Sequence, residues 1–252
     1  MRYYHAEHEA AYRRIRQAGH TQWNDQFDGD GDFDHFQNRQ FLERILPQLE
    51  LPPPAETEAL EYGCGTGPAA CFLAALGFRV HAIDLIPDAI MIARRLADER
   101  GIEVEFAVQD VCALAIESPA RRYDLVLDSF CLQSIVTDAD RGAVFAAVRD
   151  RLNPNGYYVI STAMHDPDRS YGPGSYDAAT GINYQEVSED GATADGATMI
   201  NGRWYQPHRR HLTPSALRAE LITAGFDVVR QEGDLGGDLV CVVADCSGRD
   251  PD

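Results

Sequence analysis

Short apolar runs and longer amphipathic stretches alternate through the middle of this chain. Glu58 to Tyr62, Phe78 to Ile83, Glu103 to Val108, Tyr123 to Asp128 and Tyr157 to Thr162 are compact runs of strand length. Between them, Pro68 to Leu76, Pro87 to Glu99 and Asp138 to Leu152 have helical length and spacing. Pro87 stands where a first helical turn tolerates proline. This alternation predicts an α/β fold, with a parallel sheet covered by helices on both faces. Before it, Ala6 to Gln17 and Phe36 to Leu46 also read as helices. Pro52-Pro53-Pro54 forms a stiff connector after them, so we divide the chain into an N-terminal helical cap, 1–54, and a main domain, 55–252.

The rhythm breaks from Ala163 to His211, a stretch rich in Gly, Asp and Tyr with little helical periodicity. Asn201-Gly202 lies between two β-prone triplets, which predicts a hairpin. An insertion of this length in a compact domain reads as a lid over a binding site. The pattern then resumes with a helix, Pro214 to Ala224, and two strands, Phe226 to Gln231 and Asp238 to Ala244. Their short connection predicts an antiparallel C-terminal hairpin at one end of the sheet.

Composition narrows the function classes. The chain has 252 residues, is 44% hydrophobic and carries a net charge of -18, with all 22 basic residues arginine. Such an acidic surface disfavours nucleic acid, whose binding needs basic patches. No apolar run reaches membrane-spanning length, and the first residues lack the apolar core of a signal peptide, so we expect a cytoplasmic protein with no membrane partner. The 6 cysteines form no Cys-x-x-Cys pair, and no metal is expected. Asp28-Gly29-Asp30-Gly31-Asp32 resembles a calcium loop only superficially. Counted from Asp28, Phe33 takes the glycine slot and Arg39 takes the slot of the bidentate glutamate.

The chemistry gathers at Glu61-Tyr62-Gly63-Cys64-Gly65-Thr66-Gly67, between a predicted strand and helix. Closely spaced glycines let a chain leave a strand, turn sharply and bring bare backbone against a ligand. Asp84 ends the next predicted strand, about 20 positions on, the spacing of a nucleotide-ribose site. Pro68 occupies a slot where a dinucleotide turn wants glycine, and Glu61 would repel a pyrophosphate. An acid there suits a ligand carrying an ammonium group.

The pattern Glu61-x-Gly63-x-Gly65-x-Gly67 resembles the first motif of the class I S-adenosylmethionine-dependent methyltransferases, and the likeness runs from about Ala59 to Ala244. The resemblance implies a Rossmann-like, doubly wound, mostly parallel seven-stranded sheet and S-adenosyl-L-methionine as cofactor. It places Asp84 on the ribose hydroxyls and Asp110 on the adenine amino group. Asp128, in Tyr123-Asp124-Leu125-Val126-Leu127-Asp128-Ser129-Phe130, falls near the sulfonium and the acceptor. Cofactor contacts are thus expected from Glu61, Gly63, Cys64, Gly65, Gly67, Asp84, Leu85, Asp110, Val111 and Asp128. Leu152-Asn153-Pro154-Asn155-Gly156 and Ala224-Gly225-Phe226 resemble the family's turns into its fifth and sixth strands.

Methyl transfer is an in-line displacement, so alignment carries much of the rate, and a base is needed only where the acceptor must lose a proton. His165, after the fifth strand, is the first candidate base, followed by His208 and His211. Trp23, Gln133, Tyr176, Trp204 and Arg209 are candidate contacts for a small-molecule acceptor. The sequence leaves three other readings open: a different reaction at the same pocket, cofactor binding in a regulatory role, or methylation of a protein. Oligomeric state is not fixed by the sequence.

Overall fold

The central apolar runs become strands because helices cover them on both sides. The structure, a computed structural model, describes residues 4–20, 33–116, 121–171, 176–187 and 196–244. Helices α1 (His5–Ala18) and α2 (Arg39–Ile45) precede an alternating series: β1 (Glu58–Tyr62), α3 (Pro68–Ala75), β2 (Arg79–Asp84), α4 (Pro87–Arg100) and β3 (Glu105–Val108). The series continues with β4 (Tyr123–Ser129), α5 (Asp138–Arg151) and β5 (Leu152–Ser161). After an insertion the chain closes with α6 (Pro214–Thr223), β10 (Phe226–Glu232) and β11 (Asp238–Val243).

These strands form one seven-stranded sheet in the order β10-β11-β5-β4-β1-β2-β3. β1 pairs in parallel with both β2 and β4, and the parallel pairing extends to β3 and β5. β11 lies antiparallel between β5 and β10. The expected hairpin is therefore present, with its second strand reaching inward to β5 and its first left at the edge.

Side-chain alternation divides the core into two layers. Ala59, Ala82, Leu125, Leu127 and Val159 join one cluster with Ile15, Leu42, Leu73, Ile90 and Leu96. Leu60, Ile83, Val126, Tyr158 and Ile160 join the other with Val144, Phe145, Leu217 and Leu221. Burial on both faces explains why the strands read as unbroken apolar runs. Each Leu or Ile so buried contributes about 1.5–3 kcal/mol. Apolar packing also crosses the expected boundary at 54/55, since Ile15, Phe36, Leu42 and Ile45 belong to the first cluster.

Local signals fix the helix ends. The Thr137 hydroxyl accepts from the Asp140 backbone N–H at 3.2 Å and caps α5, while Gly101 ends α4 in the left-handed conformation at φ 64°. β5 starts five residues before the expected Tyr157, directly after α5, with Asn155 at φ 64° inside it and a register shift against β4. The expected turn is thus absorbed into an irregular strand start.

The insertion is more ordered than its sequence suggests. It folds as β6 (Tyr176–Asp177), β7 (Ile182–Val187), β8 (Thr198–Ile200) and β9 (Arg203–Arg210), a four-stranded antiparallel sheet in the order β6-β7-β9-β8. The expected hairpin is the β8–β9 turn, with Asn201 at φ 50° and Gly202 at φ 80°. β6 has only 2 residues and no residue of β7 is fully buried, which blunts the period-two signal of these strands. The sheet is tied to the body where His165 N–H donates to the Leu212 carbonyl at 3.0 Å and Arg210 donates to the Val136 carbonyl at 3.1 Å. No described helix is long and apolar enough to cross a membrane.

Candidate active site

The carboxyl ends of β1, β2, β3 and β4 meet where the strand order reverses, the usual ligand crevice of an open α/β sheet. A cavity of about 240 Å³ lies there. Its floor is the turn after β1, where Gly63, Gly65 and Gly67 take φ values of 60°, 57° and 80°. Each is a left-handed conformation that costs any other residue about 1–2 kcal/mol. Space is as tight as the dihedrals. A side-chain carbon on Gly63 would collide with the Cys131 sulfur, one on Gly65 would stand 2.6 Å from the Tyr12 hydroxyl, and one on Gly67 2.8 Å from the Phe106 ring. Gly67 itself does not line the cavity and instead starts α3, its N–H donating to the Cys64 carbonyl at 2.9 Å.

Asp84 braces this turn. One carboxylate oxygen accepts from the Gly65 N–H at 2.9 Å and the other from the Ile86 N–H at 2.8 Å. Burial pushes its carboxyl up to about 6, against the pull of those two N–H groups. Each carboxylate oxygen keeps a second lone pair for a ligand, so the brace and a ribose contact are compatible. Asp110 follows β3, accepts from the Cys112 N–H at 2.9 Å and also lines the cavity, as do Cys64, Leu85 and Val111.

Glu61 is the most informative group. It is 1% exposed and lines the cavity, and its Oε2 has no hydrogen-bond partner. Burial raises its carboxyl well above the usual range, opposed by the Ala70 backbone and reinforced by Asp128 and Asp84. A buried carboxylate oxygen without a partner is costly, and a cationic ligand would relieve that cost.

Several expected site residues stand elsewhere in the structure. Asp128, expected beside the methyl donor's sulfur, does not line the cavity. It is fully buried and accepts from the Tyr62 hydroxyl at 2.9 Å and from the Cys131 and Leu132 N–H groups at 2.7 and 3.1 Å. Its role is to hold the turn after β4, and burial pushes its carboxyl up to about 7. That turn carries Phe130 into the cavity wall at φ 62°. His165 is stacked on Tyr176, with ring centroids 4.8 Å apart, and stands outside the cavity wall. His208 also stands outside and bonds Glu7 at 3.0 Å, while His211 is 3% exposed within the insertion. Tyr176 and Trp204 do not reach the cavity either. The contacts differ: His165 stacks on a ring of the second sheet, whereas His208 is turned to Glu7 of α1. Of the acceptor candidates, Gln133 and Arg209 do line the cavity, and Gln133 also accepts from the Ala163 N–H at 2.6 Å. Trp23 and the 28–32 acidic loop lie outside the described residues.

The largest group missed from the sequence comes from α1. Tyr4, His8 and Tyr12 stand four residues apart at one face of the helix and all line the cavity. Glu7, on the same helix, bonds His208 and pairs with Arg209 at 3.2 Å, locking α1 to β9. Burial raises the Glu7 carboxyl, but the His208 hydrogen bond and the charge of Arg209 outweigh it and hold it at about 2. Burial and Arg209 push His8 down to about 4, with Glu7 pulling the other way.

A glycine turn, acids at the ends of the following strands and a buried acid ahead of the turn, at the switch point of a seven-stranded sheet, match the fold of class I S-adenosylmethionine-dependent methyltransferases. Residues 59–156 match the model of the family described as "Methyltransferase domain". Among curated proteins, the ubiquinone biosynthesis O-methyltransferase of Xanthomonas euvesicatoria pv. vesicatoria (strain 85-10) is 35% identical over 133 residues, 53% of each chain. The chain thus spans about half the length of the curated relatives it matches. Solved structures share the fold over more of the chain. An S-adenosylmethionine-dependent methyltransferase from Clostridium acetobutylicum ATCC 824 superposes with a TM-score of 0.61 at 13% identity, covering 93% of this chain and 99% of that one. The Burkholderia thailandensis 1,6-didemethyltoxoflavin-N1-methyltransferase, with its namesake compound and S-adenosylhomocysteine bound, gives 0.60 at 20% identity, covering 96% and 88%.

Proposed function

We propose that this protein is a cytoplasmic enzyme that moves a methyl group from S-adenosyl-L-methionine to a small-molecule acceptor, acting on neither nucleic acid nor membrane. The observation that carries this reading is Glu61: a buried, unpartnered carboxylate oxygen in a cavity that also holds the glycine turn, Asp84 and Asp110. The donor set fits the cofactor. Glu61 answers its positive charge, the bare backbone at Gly63 and Gly65 admits its chain, Asp84 suits the ribose and Asp110 suits the adenine amino group. The cofactor supplies a methyl group activated by a sulfonium. The protein's part is to bind, align and exclude water. Tyr4 and Tyr12 of α1 and Phe130 after β4 give the cavity apolar walls, while Gln133 and Arg209 add polar contacts at the acceptor side.

Calorimetry with S-adenosylhomocysteine tests the pocket, and transfer of labelled methyl to a small molecule tests the activity. Micromolar binding that is lost in Glu61→Ala and Asp84→Ala proteins of native stability is the expected result. A well-folded protein that binds neither S-adenosylmethionine nor S-adenosylhomocysteine would sink the reading.

A further inference from the structure

Groups of both charges line the cavity. Glu61, Asp84 and Asp110 stand on the strand-end side. Among the described residues of the wall, Arg209 of β9 is the one arginine, and beside it stands His8 of α1. Tyr4, Tyr12, Phe36 and Phe130 contribute aromatic rings to the same cavity. Arg209 is itself well buried, its side chain 13% exposed. Its guanidinium gives three N–H bonds, two to Glu7 and one to the His208 carbonyl. A guanidinium has five N–H donors, so Arg209 can still take a second anion. Aromatic walls, a buried guanidinium and an imidazole on the same side describe a flat, anionic ligand with a proton to lose.

We infer that the acceptor is an aromatic hydroxy acid, docked through its carboxylate on Arg209, and that His8 accepts the proton of its hydroxyl. The inference rests on the methyl-transfer reading of the same cavity. The bond formed joins the acceptor oxygen to the methyl carbon. The bond broken joins that carbon to sulfur, which keeps the electron pair. The hydroxyl proton passes to the His8 imidazole and then to solvent, so the products are the methyl ether, S-adenosylhomocysteine and a proton.

The surroundings of His8 suit this role. Glu7 and His5 of its own helix and Arg209 and His208 of β9 are the titratable and charged groups that act on it. Burial and Arg209 keep the imidazole neutral and make it a weak base while the cavity holds no acceptor. A carboxylate bound to Arg209 would offset the charge that weakens His8 as a base. The correct acceptor therefore strengthens the base that will act on it.

The test uses 4-hydroxybenzoate as probe and phenol as its uncharged match. With saturating S-adenosylhomocysteine, calorimetry should show 4-hydroxybenzoate binding about 10-fold or more tighter than phenol, the scale of one charge-assisted contact. Arg209→Gln should erase that preference, and Arg209→Lys, which keeps the charge holding Glu7, should restore part of it. Nuclear magnetic resonance should show the His8 imidazole titrating at higher pH once 4-hydroxybenzoate is bound. Labelled methyl from S-adenosylmethionine should appear on the probe's hydroxyl oxygen. His8→Gln should lower kcat on the order of 100-fold, leave S-adenosylhomocysteine affinity unchanged and remove the acid limb of the pH profile. Protein that binds S-adenosylhomocysteine but prefers phenol, or treats the two alike, overturns the inference. So does a His8→Gln protein with unchanged kcat and pH profile. Failure to bind S-adenosylhomocysteine would instead strike the methyl-transfer reading beneath it.

Discussion

Replacing Asp84 with asparagine separates the observed brace on the glycine turn from the proposed ribose contact. The folded-state value of about 6 against an ordinary 3.8 means that ionised Asp84 is penalised by burial. Two units correspond to about 3 kcal/mol of stability lost once the pH is well above 6. The sign follows from proton uptake: between these values the folded chain binds the proton and the unfolded chain does not, so stability falls as pH rises. Asparagine carries no charge and escapes that penalty. It also offers only one acceptor oxygen to the two N–H groups of Gly65 and Ile86, which costs about 1–3 kcal/mol. At pH 7.5 the two effects nearly cancel, and urea melts of Asp84→Asn and native protein should agree within about 2 kcal/mol. At pH 5 the native protein should gain about 1.4 kcal/mol on the variant, because its carboxyl is then mostly protonated in the fold. Binding should respond very differently. Loss of one charge-assisted contact to the ribose should weaken S-adenosylhomocysteine about 10- to 100-fold by calorimetry at pH 7.5. A stability difference that does not move with pH, or unchanged affinity in a folded variant, would refute this account.

Other substitutions probe the scaffold around the cavity. Gly65→Ala should destabilise the protein by about 2 kcal/mol or more in urea melts, and adding Tyr12→Phe should recover part of the loss by removing the nearest contact while the dihedral strain remains. Phe130→Gly should change stability by only about 1 kcal/mol, since relief of the φ 62° conformation offsets the lost ring contacts; a loss of 3 kcal/mol or more, the cost of an ordinary core phenylalanine, would contradict this. Arg141 is 2% exposed, donates twice to Glu220 and twice to backbone carbonyls, so Arg141→Ala should cost about 3–5 kcal/mol by thermal or urea unfolding. Burial and nearby carboxylates push the Cys131 thiol well above its usual range, so iodoacetamide at pH 8 should modify it far more slowly than a free cysteine, as read by mass spectrometry.

The sequence by itself determined the sheet, its helices and the floor of the cavity. Those features rest on local rules: strands buried on both faces read as apolar throughout, and a tight turn at φ near 60° favours glycine. Glu61, Gly63, Gly65, Asp84 and Asp110 were legible from their spacing, and all five line the same cavity. The acceptor side was not legible. His165 and His208 looked suitable from their position in the chain, but a second sheet that the sequence barely signals packs one against Tyr176 and engages the other with Glu7. Asp128 ends the strand expected to carry it, yet the bonds it accepts from Tyr62, Cys131 and Leu132 turn it into a brace. Tyr4, His8 and Tyr12 can be read as one face of a helix, but nothing local says what that face meets. Only the tertiary structure seats α1 over the glycine turn and brings Arg209, 202 residues from Glu7, to the same cavity. Local geometry depends on neighbours in sequence, whereas the acceptor wall depends on contacts between distant segments, which leave no periodic mark in the chain.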